Sequence, residues 1–462
     1  MRTNTATRRR QETRGALVAA RAIHASHRVH ERLNSWQTVY NGSIRLAVGP
    51  IILNNVANRK EQRGSPANLA LPADPLQPRL AAMLGCGAGD CSAVRRLILL
   101  ASILAFPVLS AATLSAADKA TQAIGPDQLL LRDYRPRSIF HVPATRVERA
   151  RFPAIDVHSH AYAKTEAEVD RWVATMDAVG IAKSVIMTGA AGKKFDDLLR
   201  LYRRHPERFE VWCGLDYTGF DQPGFGPNAI GELERCVRAG AVGVGELSDK
   251  GGGLCGNAGG MHLDDARMDP LLEKCADLGL AVNIHAGEDR WMYEPMDATN
   301  DGLMNASKWR IRQAPGILSH DEVIATLDRA VAKHPRTTFI ACHFANCCFD
   351  LARLGRMLDA HPNFYTDIGA RFGETAPIPR AMAKFYRAYQ DRLLYGTDMG
   401  MDAEMYRTTF RILETEDEHF YAMDLFNYHW PLHGFGLPDA VLKKVYADNA
   451  RRMLHPARRT AP

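Results

Sequence analysis

From Pro153 onward, short apolar runs rich in β-branched residues alternate with longer stretches whose apolar positions recur every three or four residues. This alternation predicts β/α units around a parallel sheet. The first strand ends at His158–His160, and further strands are expected over 183–187, 209–215, 241–247, 281–285, 338–343, 364–368 and 393–398. Helices are expected over 165–179, 195–203, 230–237, 270–278, 321–333, 351–358, 380–389 and 404–413. The first helix shows the logic: Thr165 and Glu168 read as a capping box, and Val169, Trp172, Val173 and Met176 share one face. Eight strand–helix units in order predict a distorted (β/α)8 TIM barrel, a fold of roughly 250 residues that grows by insertion.

Two insertions interrupt the pattern. Residues 248–269 are glycine-rich, and 286–319 carry Trp291, Tyr293, Glu294, Asn300, Trp309, Arg310 and Arg312. Each follows a strand, so both are expected as long loops at the C-terminal face of the barrel. Trp291 and Trp309 serve equally well to pack that loop onto the barrel. Residues 417–454 read as a lid or edge excursion followed by a closing helix, and the barrel domain spans 152–457.

Composition changes this picture mainly at the N-terminal end. The chain has 462 residues and a formal net charge of +6, but 1–93 carry 13 Arg and Lys against 5 Asp and Glu. The remaining 45 basic and 47 acidic residues nearly balance, so no nucleic-acid partner is expected. Val94-Arg95-Arg96, the apolar run 97–109 and Ser115-Ala116-Ala117 have the layout of a secretory signal peptide. The expectation is a disordered or untranslated leader over 1–93 with a true start near Met83 or Val94. A signal over 94–117 and an extended approach segment over 118–151 would follow. Export to the periplasm or outside the cell goes with that signal, and a cytoplasmic location with its failure. The apolar run is too short for a comfortable membrane span. The nine cysteines show neither zinc-ribbon spacing nor a disulfide framework, and most read as small buried hydrophobes.

The candidate chemistry lies at the strand ends. His158 and His160 are two apart, so a strand aims both at one point. Glu246, His285, His343 and Asp398 each close a later strand. Barrel closure would gather all six around a divalent metal, and nitrogen and carboxylate ligands suit Zn2+, with Mn2+ or Fe2+ as alternatives. Glu246 contacts the metal, contacts substrate or caps the loop. Asp156 points away from His158 and reads as a structural hydrogen-bonding residue. Arg371, Trp291 and Arg310 are candidates to bind substrate, with surface exposure the equal alternative for Arg310.

Asp156-x-His158-x-His160, His285, His343 and Gly396-Thr397-Asp398 resemble the amidohydrolase superfamily, and most closely its amidohydrolase-related, aminocarboxymuconate-semialdehyde decarboxylase-like branch. The resemblance runs from about Phe152 to Leu454. It implies a metal held by His158, His160, His285 and Asp398, with His343 polarising the scissile group. No strand-four lysine is present to form a carbamate bridge. Glu246 stands there instead, leaving one or two ions open. The first reading is hydrolysis of a small lactone, amide or ester by metal-activated water, with Asp398 moving the proton. The second is non-oxidative decarboxylation of an aromatic or unsaturated acid. The partner expected is a small molecule, and a homo-oligomer is compatible with the chain.

Overall fold

The computed structural model describes residues 125–254, 259–311, 314–426 and 428–454. The expected leader and signal segment, and Arg312 with them, lie outside these residues. The chain divides into two units, Met1–Leu129 and Leu130–Pro462. In the first, the described residues 125–129 form a turn whose Gln128 and Leu129 amides donate to the Gly125 carbonyl.

In the second unit, eight strands and eight main helices alternate. They run β1 Ala154–His160, α1 Glu166–Val179, β2 Ile181–Met187, α2 Gly192–Tyr202, β3 Phe209–Trp212, α3 Phe225–Ala239, β4 Val244–Asp249 and α4 Asp269–Asp277. There follow β5 Ala281–Ala286, α5 His320–Lys333, β6 Thr338–Ala341, α6 Leu351–Ala360, β7 Phe364–Asp367, α7 Pro379–Ala388, β8 Leu393–Leu394 and α8 Ala403–Glu414. Every adjacent pairing is parallel, in two runs, β1 to β3 and β4 to β8. Hydrogen bonds close both gaps. Between β3 and β4, Cys213 N donates to Gly243 O at 3.1 Å and Gly245 N to Cys213 O at 2.8 Å. Between β8 and β1, Val157 N donates to Tyr395 O at 2.9 Å and Asp398 N to His158 O at 2.8 Å. The fold is a (β/α)8 barrel.

Packing follows from the sequence pattern. The α1 helix starts at Thr165, whose side chain accepts from Glu168 N while the Glu168 carboxylate accepts from Thr165 N. Val169, Trp172 and Met176 are buried beneath it, each worth roughly 1.5–3 kcal/mol of burial. Inside the barrel, Ile155, Val157, Val185, Met187, Trp212, Ile340 and Leu394 form a separate cluster. It is joined by Ala447, Ala450 and Met453 of the closing helix, which runs through 439–454.

Several boundaries differ from the sequence expectation, and most of them lie at the strand ends that carry the chemistry. β8 pairs with β7 over two residues only, because beyond them Tyr395 N donates to Val445 O while Tyr395 O and Asp398 N bond to β1. β6 stops at Ala341, since His343 to Asn346 all take left-handed φ, from 50° to 62°. Elsewhere, α3 begins at Phe225 rather than 230.

Candidate metal centre

Strand β1 does not deliver its histidines by simple alternation. Its register against β2 shifts between Asp156 and Ser159. Ile155 before the shift and Val157 within it belong to the apolar cluster inside the barrel. His158 and His160 reach the centre, while Ser159 turns back to donate its hydroxyl to Asp156 at 3.0 Å. A bulge commonly re-aims side chains beside a site in this way. Asp156 locks the arrangement from behind, because its carboxylate also accepts from His158 N at 3.1 Å, Thr397 N at 3.0 Å and the Thr397 hydroxyl at 2.6 Å. Burial raises the Asp156 pKa to about 6 against these hydrogen bonds. Gly396 lets β8 approach, since a Cβ there would lie 2.7 Å from His158 Cβ.

Three imidazoles are pinned by their Nδ1–H groups. His158 donates to Asp367 Oδ2 at 2.9 Å, His160 to Met187 O at 3.0 Å and His343 to Gly369 O at 2.7 Å. Carbonyls and carboxylates only accept, so Nδ1 carries a proton, and in the neutral ring Nε2 is the atom that keeps the lone pair. Those atoms converge on two carboxylates. His160 Nε2 lies 3.1 Å from Asp398 Oδ1 and 3.4 Å from Glu246 Oε2. His158 Nε2 lies 3.7 Å from Asp398 Oδ1 and 3.8 Å from Glu246 Oε1. His343 Nε2 lies 3.7 Å from Asp398 Oδ2 and 3.9 Å from Glu246 Oε1.

His158 and His343 are fully buried, whereas His160, Glu246 and Asp398 are partly open to solvent. His285 stands alongside: its Nδ1 donates to Glu246 Oε1 at 2.8 Å, and its Nε2 is 3.4 Å from Glu288 Oε1.

This donor set fits a divalent cation. His158 Nε2 is buried with no hydrogen-bond partner, a costly state unless something else takes the lone pair. Burial works against charge on His158, yet Asp367, Asp398 and Glu246 outweigh it and lift its pKa to about 10. Burial likewise opposes ionisation of Glu246 and Asp398, but the surrounding histidines hold both below the usual carboxylate range. His343 is driven the other way, well below an ordinary histidine, by burial and then by His285 and Arg371. A cation competes with protons for these same nitrogens.

The family described as Amidohydrolase matches residues 141–455, about two thirds of the chain. The chain belongs to the amidohydrolase family. None of the curated proteins matches it. Among solved structures, 2,6-dihydroxybenzoate decarboxylase from Rhizobium is 18% identical with a TM-score of 0.42, covering 66% of this chain and 99% of that one. The 5-carboxyvanillate decarboxylase from Novosphingobium aromaticivorans, complexed with manganese, is 15% identical with a TM-score of 0.41, covering 68% and 99%. A TIM-barrel protein from Bordetella bronchiseptica is 16% identical with a TM-score of 0.42, covering 65% and 98%. The amidohydrolase match begins in the segment ahead of β1, which is tied to the barrel. Thr145 N donates to Asp417 Oδ2 at 2.6 Å and Arg151 N to Glu414 Oε1 at 2.9 Å.

The candidate substrate residues sit in different settings. Arg371 is buried among acids: 3.2 Å from Glu288 Oε2, 3.2 Å from Asp289 Oδ2 and 3.8 Å from Glu374 Oε1. Its guanidinium also donates to Asn346 Oδ1. Trp291 is half-buried and packs on Gly302, where a Cβ would lie 2.2 Å from the indole. Arg310 is exposed.

Sequence reading passed over Asp367, Tyr162 and Cys342. Asp367 closes β7 as Asp398 follows β8, a signal that was there to be read. Tyr162 donates to Asp398 Oδ1 at 3.1 Å and follows the histidine pair too closely for strand logic to place it. Among the described residues, no helix is long and apolar enough to cross a membrane.

Proposed function

We propose that this amidohydrolase-family chain is a divalent-metal-dependent enzyme acting on a small organic acid. Non-oxidative decarboxylation of an aromatic or unsaturated carboxylic acid is its first reading, and hydrolysis of a lactone, amide or ester the second. This reverses the order expected from the sequence. The observation that carries the metal-dependent reading is the convergence of the His158, His160 and His343 Nε2 atoms on Asp398 and Glu246. Glu246 bears on the choice of chemistry, because it stands within β4 where a hydrolytic relative of the two-metal kind would carry a lysine carbamate. Zn2+, Mn2+ and Fe2+ all suit the nitrogen and oxygen donors.

A bound divalent cation supplies Lewis acidity that draws charge onto the substrate oxygens it holds. The chain's own residues do the rest. His158 and His160 present fixed lone pairs, because their Nδ1–H groups are already spent, so little reorganisation is needed. Asp398 has two unlike oxygens. Oδ1 takes the Tyr162 hydroxyl and faces His160, whereas Oδ2 faces His343 and is the oxygen through which a proton passes. In decarboxylation the electron pair of the C–C bond stays on the substrate carbon as carbon dioxide leaves. That carbon then takes a proton from solvent, relayed through the Asp398 carboxylate, whose Oδ2 accepts it and passes it on. In hydrolysis Asp398 takes a proton from water and returns it to the leaving group. Trp291 and Arg310, on the loop after β5, are proposed to face the substrate. Arg371 is proposed to set the charge around it.

The test is a product assay on protein loaded with Mn2+, using hydroxybenzoates on one side and lactones, amides and esters on the other. Release of carbon dioxide from the acids supports the first reading. Incorporation of labelled water oxygen without carbon dioxide moves the assignment to the second. Export by way of 94–117 belongs to the same proposal, and N-terminal sequencing of the native protein tests it.

A further inference from the structure

The donor atoms of the centre fall into two overlapping groups, each with its atoms within 4.8 Å of one another. One is His158, His160 and Asp398; the other is His158, Glu246, Cys342 and His343. The first offers nitrogen and oxygen only and is partly open to solvent. The second adds a thiol and lies deeper, with His158, Cys342 and His343 all buried.

Cys342 is brought there by the backbone. Neighbouring residues of a regular strand face opposite sides. The left-handed run that begins at His343, with φ 62°, breaks that rule, and both residues turn to the centre. At 2.9 Å the Cys342 thiol donates to Asn283 Oδ1, which orients Sγ beside Glu246 and His343.

His158 belongs to both groups and can serve only one at a time. Its Nδ1 is committed to Asp367, so a single lone pair, on a buried Nε2 with no partner, remains to be shared. Resting on the metal-dependent reading above, we propose that His158, Glu246, Cys342 and His343 form a second cation position selective for thiophilic ions such as zinc or cadmium. By sharing His158 it excludes simultaneous filling of the His160–Asp398 position. Thiolate donors favour soft and borderline ions, whereas the sulfur-free set of two imidazoles and a carboxylate lacks that preference and can take manganese. On binding, the Cys342 sulfur gives an electron pair to the cation and its proton goes to solvent, with no change of oxidation state. A thiophilic ion then withdraws His158 from the catalytic position, so the centre can be loaded correctly or blocked according to the ion present.

Equilibrium dialysis of the full chain with Mn2+ and Cd2+, read together with ultraviolet thiolate-to-cadmium absorption, tests this. The expected result is one Cd2+ per chain with a thiolate band, expelling bound Mn2+ one for one. In Cys342→Ser the band disappears and displacement of Mn2+ by Cd2+ weakens at least about ten-fold. Simultaneous binding of both ions, a missing band in the unaltered protein, or a band that persists in Cys342→Ser overturns the inference. Should the variant fail to fold, X-ray absorption on the zinc-loaded unaltered protein decides instead. One sulfur neighbour at about 2.3 Å is expected, and nitrogen and oxygen neighbours alone would refute it. Failure to bind either ion would remove the metal-dependent reading as well. Mn2+ binding without a thiolate band would remove only this inference.

Discussion

Asp398 is the residue on which both chemistries depend, and its two oxygens are held to different tasks. Asp398→Asn keeps the shape but removes the proton acceptor. Turnover is expected to fall by about two to four orders of magnitude, with unchanged circular dichroism; near-normal rates on a substrate found by screening would refute its role. Tyr162→Phe should be milder, shifting the pH profile because Oδ1 loses its donor, and an unmoved profile would argue against that contact. His158 sets a pH dependence of its own. Its folded pKa of about 10 lies above the ordinary 6.5, so its pairing stabilises the metal-free protein fully below 6.5. That contribution is lost as pH rises toward 10. Metal affinity runs the opposite way, increasing with pH because the cation must displace the proton. Titration with Mn2+ in weak buffer should therefore release protons, and release of none near neutral pH would contradict the assignment.

At the scale of elements, the sequence carried the order of strands and helices, because each unit repeats the same switch from strand to helix periodicity. It also carried the residues that close the strands. What it could not carry was how those ends are aimed. The bulge in β1 puts Val157 and then His158 on the inner side, and period-two reasoning has no term for such a shift. The left-handed run at His343 is equally silent in sequence, since neither Phe344 nor Ala345 favours positive φ. The early stop of β8 follows from competition by β1 for its hydrogen bonds, a tertiary effect. Gly396 shows how tightly these ends are fitted. Gly396→Ala would push a methyl group into His158 and is expected to cost about 1–3 kcal/mol. It should also weaken metal binding more than Ala substitution at the exposed Gly231, as calorimetry can measure.

For the whole molecule, a cation that binds only the folded barrel must stabilise it. Metal at one hundred times its dissociation constant is expected to add about 2.7 kcal/mol, read as a rise in melting temperature that His158→Ala abolishes. A melting point indifferent to Mn2+ and Zn2+ alike would count against the centre. Acid should act through a different part of the molecule. Arg235, helped by the Gly192 amide, lowers the Glu232 pKa from 4.5 to about 2 against a smaller effect of burial. This contribution is complete above pH 4.5 and lost as the pH falls toward 2, a slope that Glu232→Gln should flatten.

Arg371 has a further consequence. Set among Glu288, Asp289 and Glu374, it behaves as a cross-tie for three buried acids, and an incoming carboxylate would have to prise one of them loose. A shorter or neutral side chain at this position would leave Asp289 and Glu374 without that cation, while Glu288 keeps Lys250. The same cations that the histidines gather would then meet a rival a few side chains away.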